Sequence, residues 1–402
     1  MAELKRSLSL PLVVLYGLGV TIGAGIYVLL GAAAGRAGMY APLSFVLAGI
    51  VMAFSAASFA ELSARFPVSA GEAAYVRAGL QSNKLSLVVG FLVILSGVVS
   101  SAAITVGSTG YLREFIDWTP WFMILVVLVV VGGIAAWGIV ESIVFASLFT
   151  IVEAGALIAL IGTGIAVDPG IVGRFPEILP DMSDNMAWSG VLSAGLLAFF
   201  AFVGFEDIVN LAEEVKNPRK VLPLAILLTL IGAMGIYFLV TAVAVLSVPL
   251  DELAASDAPV SLVFGRIAGV SPVVVTLIAI VATLNGVVIQ IVMASRVLYG
   301  LAKQNSIPSV FAHVHPVTQT PLIATVSVVF VVLILALFFP VENLAEWTSR
   351  IVLTVFALVN LSLFRIKRQE GVLPPDGFVA PIWVPIAGFL SCAAFLLGDL
   401  LV

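Results

Sequence analysis

Gly19-Val20-Thr21-Ile22-Gly23-Ala24-Gly25-Ile26-Tyr27 puts glycines into the first long apolar stretch of the chain, at the depth where a continuous membrane helix would run. Glycine lets a backbone leave helical angles without a Cβ clash. In hydrocarbon an unpaired backbone amide costs several kcal/mol, so a helix opens there only where the freed N–H and C=O groups face a cavity, a ligand or an ion. If the chain unwinds at Gly23 to Gly25, the outgoing half-helix begins with free N–H groups suited to a carboxylate. The carbonyls ending the first half attract a cation. A zwitterion matches both poles. Gly19 and Gly23 also have the spacing of close helix packing, so this segment alone leaves both readings open.

A second interruption lies in the sixth apolar stretch, Phe199-Phe200-Ala201-Phe202-Val203-Gly204-Phe205-Glu206-Asp207, which runs on through Asn210, Glu213 and Glu214 to Lys216-Asn217-Pro218. Two carboxylates follow the glycine inside an apolar run, and a carboxylate at membrane depth faces protein or water. Glu206, Asn210 and Glu213 recur at helical spacing, as do Asp207 and Glu214, which predicts a polar side on the second half of this helix. A solvated helix end is the other reading. Broken helices at corresponding places in two halves point to a secondary transporter.

Of the 402 residues, 61% are hydrophobic and 10% charged, and the mean hydropathy is +1.21. Those values place the chain among all-α polytopic membrane proteins rather than soluble domains. About eleven spans are predicted, near 8–34, 41–64, 85–112, 120–140, 142–167, 187–212, 220–248, 271–302, 320–339, 345–364 and 381–402. Most exceed the roughly 20 residues that cross a bilayer. With the N-terminus in the cytoplasm, 13 Lys and Arg fall inside, among them Lys5, Arg6, Arg65, Arg77, Lys216 and Lys367, against 5 outside. This is the positive-inside bias, and eleven spans then leave Val402 extracellular or periplasmic. The inner loop holding Glu141 and no base is an exception. Lys5 and Arg6 before an apolar run imitate a secretory leader, but the run is too long, glycine-interrupted and without a cleavage site.

Several function classes are disfavoured. There is no G-x-x-x-x-G-K-[ST] phosphate loop, so an ion gradient or exchange is the simpler energy source. No repeated pore motif suggests a channel, no soluble output domain a sensor, and no nucleophile, histidine and acid set an enzyme. His313 and His315 stand without a cysteine or clustered acid, so neither a metal nor a cofactor is expected. Nothing points to nucleic acid. The sole cysteine, Cys392, admits no intrachain disulfide.

Three segments carry a resemblance to the amino acid, polyamine and organocation superfamily, near its bacterial permeases similar to cationic amino acid transporters. They are Gly19 to Val28; Phe202-Val203-Gly204-Phe205-Glu206-Asp207 through Glu213-Glu214-Val215-Lys216-Asn217-Pro218; and Met293-Ala294-Ser295-Arg296-Val297-Leu298-Tyr299-Gly300-Leu301-Ala302 followed by His315-Pro316. The resemblance implies one transmembrane transporter domain over 1–402, with inverted repeats of five spans each at approximately 8–167 and 187–364, and an extra helix at 381–402. Most relatives have twelve spans, and this chain stops at eleven. A homo-oligomer contact through a twelfth helix is therefore in question.

By the same resemblance, a substrate carboxylate meets backbone amides of Gly23, Ala24 and Gly25. Its ammonium meets carbonyls near Phe202, Val203 and Phe205, around Gly204, with Thr21 and Ile22 flanking. Phe202 or Phe205 can close over the site as a gate, or can simply pack. Ser101, with Gly97, Thr105 and Ser108 at helical spacing, lines the path or joins helices; Thr283, Asn285 and Gln290 offer the same choice in the eighth span. Glu153, in Ile151-Val152-Glu153-Ala154-Gly155, is an isolated acid at membrane depth, where some relatives have lysine. It can carry a coupling proton, ligate sodium instead, or be structural. Glu206 and Asp207 are the other candidate coupling acids. Arg350, with Glu346 and Trp347, is placed at an outer gate or in a surface ion pair. Glu61, Arg65, Glu72 and Arg77 are expected to form ion pairs, and Gly71 to Leu80 an amphipathic inner-gate helix. The expectation is a cell-membrane amino acid transporter coupled to protons, with sodium coupling, exchange, export and cationic substrates as alternatives.

Overall fold

The computed structural model describes residues 8–399 apart from 68–70, 138–142, 213, 270, 304–306, 317, 319 and 371–376. Lys5, Arg6, Glu141, Glu213 and Val402 therefore lie outside the described residues. The helices are α1 Leu10–Ile22, α2 Ala24–Ala37, α3 Ala41–Arg65, α4 Gly71–Leu80, α5 Asn83–Arg113, α6 Pro120–Trp137, α7 Ile143–Val167, α8 Asn185–Phe200, α9 Pro218–Ser247, α10 Leu250–Ala254, α11 Pro259–Ala268, α12 Val273–Lys303, α13 Leu322–Phe338, α14 Val341–Glu370 and α15 Trp383–Asp399. Among the described residues, eight helical runs are long and apolar enough to cross a membrane, with shorter apolar helices at Leu10–Ile22, Pro259–Ala268, Leu322–Phe338 and Trp383–Gly398. This is an all-α polytopic membrane protein.

Local chemistry sets several helix starts. Asp184 accepts hydrogen bonds from the Met186 and Ala187 amides at the head of α8, and Ser82 accepts one from Leu85 at the head of α5, each satisfying an otherwise orphaned donor. Pro218 opens α9, where its missing N–H costs nothing. The outer faces invert the soluble pattern: Trp121, Val129, Val130, Phe330 and Phe338 are all exposed, as lipid-facing side chains of α6 and α13 should be.

Glycine and small residues let α5 and α12 lie close together. A Cβ on Gly97 would stand 3.0 Å from Met293 Cε and 3.3 Å from Ala294 Cβ. At the end of the bundle where α1 begins, Leu8 forms a parallel bridge with Val215. Leu8 N–H donates to Glu214 O at 3.1 Å and Lys216 N–H to Leu8 O at 2.9 Å. The first and sixth spans are thus joined main chain to main chain.

Glu61 is the polar centre of the same end. It is fully buried and pairs with Arg65 at 2.8 Å and Lys367 at 2.7 Å, and it accepts the Ala380 N–H at 2.8 Å. Nearer mid-membrane, Asn360 of α14 accepts from Ser58 and donates to Ser55, whose hydroxyl lies 3.6 Å from the buried thiol of Cys392. These contacts fasten α15 to α3 and α14. At the opposite end Arg36 of α2 pairs with Glu346 of α14 at 2.5 Å and donates to Ser193 O of α8 at 3.3 Å.

α4 forms where the sequence predicts it, but the charges on and before it do not all behave as expected. Glu61 and Arg65 pair, whereas Glu72 is buried and makes no ion pair among the described residues. Burial pushes its carboxyl up to about 7, and Glu206 and Asp207 lie near enough to feel its charge. A folded-state value above the unfolded one means that the folded chain binds the extra proton between pH 4.5 and 7, so stability falls as pH rises through that window. Glu72→Gln is expected to flatten the fall, measured as the change in thermal unfolding temperature between pH 5 and pH 8 in detergent.

Candidate functional site

The two interruptions meet. α1 stops at Ile22, Gly23 leaves helical geometry at φ −39°, ψ −108°, and α2 restarts at Ala24. The break is therefore narrower than Gly23 to Gly25, and Gly25 belongs to the first turn of α2. α8 stops at Phe200, residues 201–204 form turns, and a 3-10 helix follows over Phe205–Leu211. That tighter winding corrects the expected polar stripe from Glu206: three residues per turn do not place positions four apart on one face. Gly204 has φ +120°, a conformation side chains rarely adopt, and a Cβ there would stand 2.7 Å from Val20 Cγ1. A Cβ on Gly25 would meet the Cα of Ala201 and lie 2.8 Å from its Cβ.

One phenol serves both breaks. Tyr237 of α9, fully buried, points its hydroxyl at Thr21 O, 2.6 Å away, and Ala201 O, 2.8 Å away. Its single proton is thereby shared between one carbonyl from each interrupted helix. Glu206 supports the second break from below, its carboxylate accepting the Gly204 N–H at 2.8 Å. The carbonyls of Phe202 and Val203 accept no hydrogen bond among the described residues. The opening of α2 supplies N–H groups with no earlier carbonyl in their own helix. Donors and acceptors for opposite charges therefore stand side by side.

Removing the Tyr237 hydroxyl keeps the packing and leaves two carbonyls without it. Tyr237→Phe is expected to cost about 1 kcal/mol of stability and to slow maximal uptake in liposomes by a larger factor than it raises the half-saturation concentration.

A cavity of about 20 Å³ lies beside the breaks, lined by Val20, Thr21, Gly25, Ser100, Ile104, Phe200, Val203, Gly286, Ile289 and Gln290. That is the scale of one water molecule, too small to hold an amino acid in this conformation. No charged side chain is among those lining it.

The expected residues divide accordingly. Thr21, Gly25 and Val203 border the cavity, with Gly23, Gly204 and the backbone of Ala24 at the breaks beside it. Ile22 is buried and does not line it. Ser101 is turned away, its hydroxyl bonded to Gly97 O at 2.7 Å; Ser100 takes the place expected of it. Neither Phe202 nor Phe205 covers the cavity. Phe202 packs on Tyr237 with ring centroids 5.0 Å apart, and Phe205 on Phe59 and Phe356, while Phe200 supplies the bordering ring. Glu153 is buried in α7 away from the lining, its carbonyl accepting from Tyr27 at 2.9 Å. Asp207 is buried, with Oδ2 lacking a hydrogen bond. Arg350 bonds Glu346 at 3.0 Å, and Arg36 completes that cluster. Tyr237 and Arg36 escape a sequence reading because their partners lie 216 and 157 residues away.

The chain matches the amino acid permease family over residues 8–400. It is 33% identical to an uncharacterized transporter of Mycobacterium tuberculosis over 98% of this chain and 88% of that protein. The chain belongs to the amino acid permease family. The permease is also 29% identical to the branched-chain amino acid permease BcaP of Bacillus subtilis, over 92% of this chain and 83% of that protein. With the mitochondrial cationic amino acid transporter 3 of Arabidopsis thaliana it shares 30% identity over 94% of its own length, spanning 64% of the plant protein. Family membership agrees with the superfamily resemblance carried by the broken spans.

Proposed function

We propose that this permease is a secondary active transporter that takes up small neutral or hydrophobic amino acids by alternating access, coupled to protons. The observation that carries the reading is the joint break: Gly25 at the amide-rich start of α2 and Val203, whose carbonyl accepts no hydrogen bond among the described residues, line one cavity without a charged side chain. In this reading the substrate carboxylate binds the amides of Gly23, Ala24 and Gly25, and its ammonium the carbonyls of the 201–204 turn. The relatives' names span cationic and branched-chain substrates. The uncharged lining favours the neutral class, because a cationic side chain buried there would lack a counter-charge.

A cavity this small admits an amino acid only after the helices around it move, as alternation between two inverted repeats at 8–167 and 187–364 would provide. Glu153, Glu206 and Asp207 are the acids that can carry the coupling proton; all three are buried. In the cell membrane the N-terminus is assigned to the cytoplasm and the C-terminus to the outer side. Reconstituted protein supplied with a radiolabelled amino acid panel under separate proton and sodium gradients tests the reading. Proton-driven accumulation supports it, sodium dependence replaces the coupling ion, and counterflow without accumulation makes the protein an exchanger. Unchanged gradient-driven accumulation in Glu153→Gln removes Glu153 from the coupling step.

A further inference from the structure

Three polar side chains in the cavity have nothing to bond. Thr21 Oγ1 is buried without a partner. The Ser100 hydroxyl and the Gln290 amide, in residues only 3% and 6% exposed, make no hydrogen bond among the described residues. A serine in a helix ordinarily returns its hydroxyl to a carbonyl of the preceding turn, as Ser96 and Ser101 do on the same helix. Ser100 does not, and it lines the same cavity as Gln290. Both residues line the cavity from adjoining helices, so their polar groups are available to a partner from outside the chain.

The main-chain groups of α2 and of the 201–204 turn answer the charged ends of an amino acid. The wall made by α5 and α12 is left for its side chain. We propose that Ser100 and Gln290 bind a hydroxyl on a short substrate side chain, so that the permease selects β-hydroxy amino acids, threonine and serine, over aliphatic molecules of the same shape; this rests on the amino acid reading above. A hydroxyl both donates and accepts, and the primary amide and the serine offer the complementary acceptor and donors. The apolar neighbours Ile104, Phe200 and Ile289 fit the remaining methyl and methylene surface. A longer polar chain would have to displace them.

Threonine and valine differ by hydroxyl against methyl at nearly constant shape, so their ratio isolates the contact. The test is competition by each against counterflow of the best-transported radiolabelled amino acid, in wild type, Gln290→Leu and Ser100→Ala, with size-exclusion profiles checking that each variant is folded. Threonine is expected to compete about tenfold or more better than valine in wild type. Gln290→Leu is expected to bring the two within about threefold, and Ser100→Ala to move the ratio the same way by less. Equal competition in wild type, or a ratio unchanged in both variants, overturns the proposal while leaving amino acid transport standing. Failure of every amino acid to support counterflow in wild type overturns the transport reading and this proposal with it.

Discussion

Gly25→Leu is expected to eliminate uptake, leaving liposomes with no more accumulation than empty vesicles. The reason is the joint between the two breaks. A single Cβ at Gly25 already meets the Ala201 backbone and lies 2.8 Å from the Ala201 side chain, so an isobutyl group has no place to go. Overpacking a tight site costs about 1–3 kcal/mol, and here relief comes by driving the start of α2 away from the 201–204 turn. The amides and carbonyls that face one ligand then no longer face it together. Gly25→Ala is expected to retain a fraction of the activity, and Gly235→Ala, where an added Cβ meets nothing within 4 Å, to retain all of it. Measuring substrate binding by thermal shift beside uptake locates the damage: normal binding by Gly25→Leu would show that the α2 start is not the carboxylate site.

Glu61→Gln is expected to be the most destabilising isosteric change in the chain. The carboxylate is fully buried and holds Arg65 and Lys367, whose side chains are each only 7% exposed. Removing one partner of a buried charge cluster costs about 3–5 kcal/mol, because the remaining charge stays desolvated. Here the amide keeps the shape and can still accept from Ala380, so the loss reports charge rather than volume. Adding Lys367→Met should recover part of the stability in the double variant, since it removes a stranded cation. Chemical unfolding in detergent of the wild type, both singles and the double measures this; a double variant as weak as the sum of the singles would mean that the two residues do not act through each other.

The broken spans were legible because glycine at membrane depth and acids after it violate the ordinary pattern of a spanning helix. Helix positions followed from apolar length alone, and two of the three segments that carry the family resemblance are those broken spans. Which face of α5 borders the cavity was not legible. Ser100 and Ser101 are one residue and about 100° apart, and the small polar stripe Gly97, Ser101, Thr105 and Ser108 drew attention to the face that packs and bonds to its own helix. Which aromatic borders the cavity was not legible either: Phe200, Phe202 and Phe205 differ in rotation, and the turn at 201–204 resets that rotation by geometry no periodicity contains. Sequence predicts an ion pair for Glu72 because acids flanking a helix usually pair, whereas tertiary burial decides its state.

The Leu8–Val215 bridge bears on how the chain is made. Leu8 leaves the ribosome about two hundred residues ahead of the segment it pairs with, and at about 5–20 residues per second this is roughly 10–40 seconds of synthesis. During that interval the nascent first span has neither its main-chain partner nor Tyr237, which comes later still. Until the sixth span is made, the open amides of the first span have neither of these partners, and a ribosome pause before Val215 lengthens that period.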